Sequence, residues 1–448
     1  MALTGIQIFK LLPKTNCKEC GFPTCLAFAM NLAMGKTELA LCPYVTEGAK
    51  AQLQEAAAPP IRTVAVGAGD RAVKVGGETV MFRHEKTFVN PPGLALLITD
   101  GMDEGEVDAR LEKMKTLQYE RVGLILRPEL VAVKETKGDA QKFASLVERV
   151  RKVEGVGLIL MSQWPEVLAA GVKACGEAKP LLYAATSDNV EAVGNLAKAS
   201  GCPVAVRSDS LEGCIKLTEK LTGMGVKDLV LDPGSRRPRK ALEDQIAVRR
   251  AALVGKVVAL GFPTITFPCE MTDDPMQETV IAAMLIAKYA GVIVLSDFEG
   301  HSLFPLLLER MNIYTDPQRP MATGEGLYEV GGPGEDSPVL LTSNFSLTYF
   351  IVSGEVETSR VPAYLLIKDT EGLSVMTAWA AGKFVADAIA PFVKKSGVAD
   401  KVKHRKLIIP GYAAQISGEL SEELPDWEIL VGPREAAHIP AYLKAWKP

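Results

Sequence analysis

Four cysteines near the N-terminus have the spacing of a metal-ligand set. Cys17, Cys20 and Cys25 lie within a stretch of nine residues, and Cys42, directly before a proline, completes four thiols. Three thiolates this close can wrap one metal centre, and Gly21 lets the backbone between them approach it. Because closely spaced cysteines with a remote Cys-Pro are typical of iron–sulfur ligation, the spacing predicts a [4Fe–4S] cluster on Cys17, Cys20, Cys25 and Cys42.

Two alternatives stay open for this motif. A structural Cys₄ zinc site is the main rival, although zinc sites more often show two separated Cys-x2-Cys pairs. The thiols could also be reduced structural cysteines, but free cysteines seldom line up in this way. The remaining cysteines show no ligand spacing and are predicted to be buried core thiols: Cys175, Cys202, Cys214 and Cys269.

A loop in the middle of the chain is a second candidate. Asp232-Pro233-Gly234 ends a predicted strand, and a basic stretch over residues 236–240 follows. Such a loop could hold an anion or a pterin-like ring, or it could be a tight turn before a solvated basic helix. Asp100 and Asp297 also end predicted strands, where either side chain could simply cap the next helix. The four histidines are scattered and belong to no zinc-hydrolase motif.

Small and hydroxylated residues, rather than acid–base groups, end the predicted strands near the C-terminus. They occupy residues 342–346, 370–374, 411–414 and 432–433. Ligands of open α/β sheets bind at the carboxyl ends of strands. Small residues there leave room for a large flat ligand, and hydroxyls, Asn344 and backbone N–H groups can bond amides at its rim. Ordinary strand-to-helix turns use the same residue types, so the pattern alone leaves both interpretations open.

Alternating strands and helices must position these candidates. Apolar runs between residues 94 and 295 alternate with amphipathic stretches, which predicts βαβ units and a closed (β/α)₈ TIM barrel. The predicted barrel strands cover residues 94–99, 123–127, 157–161, 181–185, 203–206, 228–231, 257–266 and 291–295. A hairpin flap precedes the barrel, with runs at 63–66, 72–75 and 79–82. Four further strands, with a long helix over 374–395 among their helices, predict a doubly wound α/β domain at the C-terminus.

The length of 448 residues suggests about three domains. We predict an iron–sulfur domain at residues 1–58, ending in an alanine-rich helix over 47–58, a barrel with its flap at 61–320, and an α/β domain at 326–448. A net charge of −4 and 6% aromatic residues argue against nucleic-acid binding. We find no signal peptide and no apolar run of membrane-spanning length. Eight cysteines are too few for a disulfide scaffold of this length, so a cytoplasmic protein is expected.

The start of the chain resembles the large (gamma) subunit of the corrinoid iron–sulfur protein of the acetyl-CoA synthase/CO dehydrogenase (Wood–Ljungdahl) system. The matching residues are Thr4-Gly5-Ile6-Gln7 and then the run from Leu12-Pro13-Lys14-Thr15-Asn16 through Cys17-Lys18-Glu19-Cys20 to Gly21-Phe22-Pro23-Thr24-Cys25. The resemblance covers the whole chain. It implies that the four motif cysteines hold a [4Fe–4S] cluster and that the C-terminal domain binds a cobamide.

The resemblance also guides the placement of the corrinoid. The Asp-x-His-x-x-Gly motif of other methyl carriers is absent from the sequence, which fits a base-off corrinoid without a protein histidine ligand. The expected corrinoid contacts, chosen from strand ends, are Thr342, Asn344, Ser346, Thr370, Gly372, Leu373, Ser374, Thr377, Ala378, Gly411, Ala413, Gly432 and Pro433.

Finally, the resemblance implies a methyl carrier rather than a self-sufficient enzyme. Such a carrier accepts a methyl group from methyltetrahydrofolate on Co(I), through a separate methyltransferase, and delivers it to acetyl-CoA synthase, while the cluster reductively reactivates Co(II). The expected partners are the small subunit of a heterodimer, the methyltransferase, acetyl-CoA synthase/CO dehydrogenase and an electron donor such as ferredoxin. No membrane partner is expected. The alternative is a pterin-binding barrel methyltransferase that acts directly on methyltetrahydrofolate through the Asp232 loop.

Overall fold

Two short helices flank the loop that contains Cys17 and Cys20. The computed structural model describes residues 5–33, 37, 39–46, 48–50, 53, 59–121 and 124–448. Helix α1 spans Gly5–Leu11, and α2 spans Cys25–Ala33. Apolar side chains of this segment form a small core that consists of Ile8, Leu12, Cys25, Phe28, Ala29 and Leu53. Helix α2 therefore begins at a cysteine that is held in a packed interior. The helix predicted over 47–58 falls mostly outside the described residues.

Residues 59–314 begin with an antiparallel hairpin and continue as alternating strands and helices. The strands are β1 (Thr63–Val66), β2 (Val73–Gly76), β3 (Gly93–Thr99), β4 (Tyr119–Arg121), β5 (Leu124–Leu126), β6 (Leu130–Lys134), β7 (Gly157–Met161), β8 (Leu181–Ala185), β9 (Val204–Arg207), β10 (Leu229–Asp232), β11 (Ile265–Thr266) and β12 (Val292–Leu295). The helices are α3 (Glu104–Thr116), α4 (Ala140–Val150), α5 (Pro165–Cys175), α6 (Val190–Ser200), α7 (Leu211–Gly223), α8 (Pro238–Leu253), α9 (Pro275–Ala287) and α10 (Gly300–Ile313). Side-chain caps fix where several helices begin, because Asp103, Asp139, Ser210 and Asp274 each accept a backbone N–H of the first turn.

Eight of these strands form a barrel. They run parallel in the order β10-β9-β8-β7-β6-β3-β12-β11, and a parallel bridge between Leu231 and Thr264 joins the two ends of that order. Apolar side chains from the strands fill the interior, and Val64, Val66 and Val75 of the β1–β2 hairpin belong to the same core. The predicted (β/α)₈ barrel is confirmed. The carboxyl ends of all eight strands meet at one face, where barrel active sites lie.

Three predicted strands differ from the structure. The second barrel strand is Leu130–Lys134 and not residues 123–127, which contribute only β5 of a small antiparallel hairpin with β4. Burial decides between these two runs, because Val131 is fully buried while Ile125 is 60% exposed. The run predicted over 257–266 keeps only Ile265–Thr266 as strand, and residues 79–82 form none.

Residues 326–448 form an open sheet with helices on both faces. The strands are β13 (Gly326–Val330), β14 (Val339–Ser343), β15 (Ala363–Lys368), β16 (Lys406–Ile409) and β17 (Glu428–Val431). The helices are α11 (Ser346–Ser359), α12 (Val375–Ala380), α13 (Ala386–Lys395), α14 (Val398–Lys401), α15 (Ser417–Glu423) and α16 (Ile439–Lys444). The strand order is β13-β15-β14-β16-β17, with only β13 antiparallel. One apolar core lies on each face, so the predicted doubly wound α/β domain is confirmed.

Two details of this domain were not expected. The antiparallel edge strand β13 adds a fifth strand to the four that the sequence predicts for this domain. The single helix predicted over 374–395 is instead α12 and α13. Gly382 lies between them in a left-handed conformation (φ 71°), and such a conformation ends a helix.

The chain divides into two compact units. One contains Met1–Met81, Phe88–Leu117 and Pro128–Tyr314, and the other contains Phe82–Thr87, Gln118–Arg127 and Thr315–Pro448. The β4–β5 hairpin thus belongs to the unit of the open sheet. In that unit, the Arg121 guanidinium lies 3.9 Å from the centre of the Phe350 ring. Among the described residues, no helix combines the length and the apolar character needed to cross a membrane.

Candidate functional site

The loop before α2 has the backbone of a ligand-wrapping segment. Lys14, Asn16, Lys18 and Gly21 all have left-handed φ values, between 49° and 82°. Turns that combine left- and right-handed residues point successive N–H groups into a concave surface that suits anions, including iron–sulfur clusters. Asn16 anchors the loop on α2, because its side-chain oxygen accepts the Cys25 N–H at 2.8 Å while its own N–H points at the Cys25 sulfur at 3.4 Å.

The four predicted ligand thiols lie in one neighbourhood. Burial raises the pKa of the Cys42 thiol, a backbone hydrogen bond at Tyr44 lowers it, and the nearby thiols of Cys20, Cys25 and Cys17 raise it further. Cys25 is buried, and the other three thiols are partly exposed. Among the described residues, no three His, Cys, Asp or Glu side chains are already spaced to coordinate a single metal ion. A donor set of four thiols beside an N–H-rich loop fits an iron–sulfur cluster.

A cleft opens at the carboxyl edge of the C-terminal sheet. The chain leaves β14 for β15 on one side and returns to β16 on the other, which makes the β14–β16 boundary a topological switch point. The cleft has a volume of about 380 Å³, and it lies at this boundary, between Thr342 of β14 and Pro410 after β16. No histidine is among its lining residues, all of which belong to the described part of the chain.

Some of the predicted corrinoid contacts line this cleft directly. They are Thr342, Ser374, Gly432 and Pro433. Gly411 packs directly against Gly432 of this cleft. A side chain at Gly411 would not fit there, because its Cβ would lie 2.6 Å from the Gly432 carbonyl oxygen. The buried hydroxyl oxygens of Ser343 and Ser346, at the end of β14 and the start of α11, have no hydrogen-bond partner in the described structure. Unpaired buried hydroxyls are costly, so this edge of the sheet is prepared for polar contacts that the chain itself does not supply.

Other predicted contacts hold the loop after β15. The Asn344 side-chain oxygen accepts the N–H and the hydroxyl of Thr370, at 3.0 and 2.9 Å, and the N–H of Gly372 at 2.9 Å. Its amide nitrogen donates to Asp369 at 2.8 Å. These bonds fill the amide oxygen and use one of its two N–H donors, so Asn344 positions the loop.

The remaining predicted contacts have more ordinary surroundings. Ala378 and Ala413 are fully buried in the core on one face of the sheet, and Leu373 packs against that core. The Thr377 hydroxyl lies 3.1 Å from that of Ser374.

Sequence reasoning missed the apolar side chains of the cleft. Ile351, Met376 and Tyr412 line it although each is more than 40% exposed. Arg434 and Glu435 close one end, where Glu435 accepts the Tyr412 hydroxyl at 2.7 Å. The available signal was an apolar residue one or two positions after a predicted contact, as at Met376 after Ser374 and Tyr412 after Gly411. Exposed apolar surface around a polar edge is what a large, partly apolar ring would cover.

The Asp232 loop at the barrel face is internally paired. One Asp232 oxygen accepts the Tyr183 hydroxyl at 2.6 Å and an Arg236 N–H at 2.9 Å, and the other accepts a second Arg236 N–H at 3.1 Å and the Gly234 N–H at 2.9 Å. Arg236 also lies 4.5 Å from the centre of the Phe267 ring. Although burial lowers the pKa of Arg236, its hydrogen bonds and its attraction to Asp232 raise it overall.

This pairing bears on the pterin alternative. Asp232 is 1% exposed, and its two oxygens already accept four hydrogen bonds, which is all that a carboxylate holds. A pterin could reach this carboxylate only by displacing Arg236. Asp100 and Asp297, the other two predicted strand-end acids, bond Thr136 and Lys113, and neither caps the helix that follows.

Comparison with protein families identifies the class of chain. The family described as "CO dehydrogenase/acetyl-CoA synthase delta subunit" matches residues 63–443, and the family described as "Putative Fe-S cluster" matches residues 12–44. The barrel is similar to dihydropteroate synthase from Thermus thermophilus, with 16% identity, a TM-score of 0.39, and coverage of 56% of this chain and 100% of that chain. The barrel assignment rests on its own strand order and not on that likeness.

Two curated relatives match nearly the whole chain. The corrinoid/iron-sulfur protein large subunit of Moorella thermoacetica is 44% identical over 99% of both chains. The acetyl-CoA decarbonylase/synthase complex subunit gamma of Methanopyrus kandleri is 36% identical over 99% of this chain and 97% of that one. The chain therefore belongs to the family of corrinoid/iron-sulfur protein large subunits and acetyl-CoA decarbonylase/synthase gamma subunits.

Proposed function

We propose that this chain is the large subunit of a corrinoid iron–sulfur methyl carrier that serves an acetyl-CoA synthase. The observation that carries the proposal is the end-to-end match to the corrinoid/iron-sulfur protein large subunit. A four-cysteine loop and an open cleft at a sheet switch point support it, because they fit the two cofactors in that name. When bound, the corrinoid supplies a cobalt nucleophile for a methyl group, and the cluster supplies the electron that restores an oxidised cobalt.

Cys17, Cys20, Cys25 and Cys42 would hold the cluster. The Asn16 N–H already points at the Cys25 sulfur, and hydrogen bonds to ligand sulfurs tune a cluster's reduction potential. Cys25 is fixed in the apolar core of the segment, whereas the other three thiols are partly exposed. The loop thus anchors one ligand firmly and leaves the others able to adjust around the metal.

The C-terminal cleft would hold the corrinoid. Ile351, Met376 and Tyr412 offer apolar contact to its ring, and Thr342 and Ser374 offer hydroxyls to its rim amides. Asn344 keeps the loop over residues 369–372 in place. The cleft lining contains no histidine, and we propose a base-off corrinoid without a protein ligand below the cobalt.

The domain division is part of the same proposal. Residues 1–58 would carry the cluster, residues 61–320 the barrel, and residues 326–448 the corrinoid. A small subunit and an acetyl-CoA synthase are the partners that family membership supports. We further propose a methyltransferase that uses methyltetrahydrofolate, an electron donor such as ferredoxin, and a cytoplasmic location, where thiols stay reduced.

Metal analysis of the anaerobically purified chain, co-expressed with its small partner subunit, tests the cluster. We expect about four irons and about one cobalt per chain, with a Co(II) resonance spectrum free of nitrogen splitting. Cys20→Ala should remove the iron and leave the cobalt. Cys175→Ala, which alters a buried thiol of the barrel, is the matched control and should keep both metals. Zinc in place of iron, or full iron in Cys20→Ala, would overturn the assignment.

A second pair of variants tests the cleft. Met376→Lys places a charge on an exposed apolar wall of the cleft, so we expect it to lose cobalt while it keeps iron. Met276→Lys makes the same change at a 59% exposed methionine on barrel helix α9 and should keep both metals. Equal cobalt in the two variants would place the corrinoid elsewhere.

A further inference from the structure

The barrel face contains a second cleft that the methyl-carrier function does not use. It has a volume of about 480 Å³ and lies over the carboxyl ends of β6 to β9, which is the face where barrels bind their ligands. Its volume is within the range of small-molecule sites. The lining residues are Lys134, Glu135, Thr136, Lys137, Gly138, Met161, Ser162, Gln163, Trp164, Tyr183, Ala184, Thr186, Arg207 and Glu270.

The acidic side chains of this cleft are already neutralised or bonded. Glu135 is buried and accepts the Ser162 hydroxyl at 3.0 Å and the Gly138 N–H. Glu270 accepts Lys134 at 3.0 Å and Arg236 at 2.5 Å. Glu270 is therefore neutralised by two cations, whereas Glu135 keeps its charge and is held by neutral donors. Neither carboxylate forms an ion pair with Lys137 or Arg207 in the described structure.

Two cations of the cleft have no such partner. Lys137 and Arg207 are both exposed, and neither forms a hydrogen bond or ion pair through its side chain within the described part of the chain. They come from different strand ends, after β6 and at the end of β9. With Lys134 they bring three cations to a lining that has two carboxylates, Glu135 and Glu270, so the cleft has a net charge of 3 − 2 = +1.

An aromatic surface lies beside these cations. Trp164 lines the cleft with 46% of its surface exposed, although large aromatic side chains are usually covered. Its indole rests against Gly138, where a Cβ would come within 3.6 Å of the indole nitrogen. Gln163 and Thr186 add neutral hydrogen-bonding groups to the same lining.

We propose that this cleft binds a small planar organic anion, with a ring on Trp164 and carboxylates on Lys137 and Arg207. The arrangement favours a flat dicarboxylate over inorganic phosphate, because phosphate would bind the two cations but make no contact with the exposed indole of Trp164. The proposal is independent of the corrinoid and of the cluster. It also differs from a pterin site on Asp232, since that carboxylate is saturated by Arg236, Tyr183 and the Gly234 N–H.

Isothermal titration calorimetry of the full-length chain at low ionic strength tests the proposal, with benzene-1,3-dicarboxylate as the probe. We expect Lys137→Ala/Arg207→Ala to weaken binding by at least about tenfold, because two charge-assisted contacts are lost. The matched control is Lys216→Ala/Arg250→Ala, which removes the same two charges from exposed positions on α7 and α8 of the same barrel. It should bind as the unmodified chain does.

A second pair of ligands tests the aromatic contact. Cyclohexane-1,3-dicarboxylate carries the same two carboxylates without a flat ring, and we expect it to bind about threefold or more weakly. Trp164→Ala should remove that difference. No measurable heat with the aromatic dicarboxylate, or equal weakening in the cleft and control double variants, would overturn the site. Equal binding of phosphate and the aromatic dicarboxylate would overturn the proposal that the cleft prefers a planar ring.

Discussion

Asp232 at the barrel face and the serines at the edge of the C-terminal sheet stand at equivalent places, the carboxyl ends of parallel strands, but their polar groups are satisfied in opposite ways. At the barrel face, Asp232 accepts four hydrogen bonds from Tyr183, Gly234 and Arg236. In the open sheet, the hydroxyls of Ser343 and Ser346 are buried without a partner in the described structure, and apolar side chains stand exposed beside them. Of these two strand ends, only that of the open sheet keeps groups that the chain itself leaves unpaired.

The same contrast separates two parts of the barrel face. The centre is closed by the Arg236 network, whose charges alternate from Lys134 through Glu270 and Arg236 to Asp232. The cleft beside it keeps Lys137 and Arg207 without ion pairs to any described residue. Only the second arrangement leaves charge for a ligand to neutralise.

The largest effect is expected from Asp232→Ala. The change leaves the Arg236 charge partly uncompensated in a buried setting and removes the partner of the Tyr183 hydroxyl, so the free energy of unfolding should fall by about 3–5 kcal/mol. Urea denaturation of the full chain measures it. Asp228→Ala, at an exposed position just before the same strand, should change it by less than about 0.5 kcal/mol. A fall in the free energy of unfolding of less than about 1 kcal/mol in Asp232→Ala would show that Asp232, Tyr183 and Arg236 do not stabilise one another as a buried network.

Asn344→Ala should have the next largest effect, now in the open sheet. Four hydrogen bonds to residues 369–372 are lost, and two buried backbone N–H groups lose their acceptor, so a loss of about 2–3 kcal/mol is expected. The variant should also retain less cobalt, because the loop it holds borders the cleft. Asn195→Ala, on the exposed surface of α6, provides the comparison in both assays. Unchanged stability with lost cobalt would instead mean that the amide contacts the corrinoid directly.

Two serine variants compare the regions directly. Ser162→Ala removes a hydroxyl that donates to the Glu135 carboxylate, which should cost about 1–2 kcal/mol. Ser343→Ala removes a fully buried hydroxyl that has no partner among the described residues, so the stability of the cofactor-free chain should stay the same or rise slightly. Both values come from urea titrations under one set of conditions. Equal losses would contradict the view that the sheet edge holds unsatisfied groups.

The smallest effect concerns pH. Burial by itself raises the pKa of Glu270. The hydrogen bonds and positive charges of Lys134 and Arg236 outweigh that effect, so the pKa of Glu270 lies below its ordinary value of 4.5. The pairing therefore stabilises the fold above about pH 4.5 and is lost as the pH falls through the lower folded value. The stability deficit of Glu270→Gln relative to the unmodified chain should be larger at pH 7 than at pH 3. Glu166→Gln, an exposed control, should show no such change, and a pH-independent deficit would exclude the ionic contribution.

Local patterns predicted most of the elements and the cysteine site. The strands at 157–161 and 181–185 have the predicted bounds, because each is a short apolar run bounded by turn residues. The cysteine motif was visible from spacing, since three of its candidate ligands lie close together along the chain. The cleft of the open sheet was found only in part. Its polar strand ends were visible in the sequence, but its apolar wall of Ile351, Met376 and Tyr412 was not.

By itself, the sequence determined most of the strands and helices, the candidate ligand thiols and the family, because these depend on residue type and on near neighbours. The tertiary structure alone decided that Leu130–Lys134 and not residues 123–127 enters the barrel, since the two runs are similarly apolar and only packing separates them. It also decided which strand-end groups are free. Tyr183 and Asp232 are 49 residues apart in the chain, and Asn344 reaches a loop 26 residues away. Such pairings follow from how strands are placed side by side, and no local pattern records them.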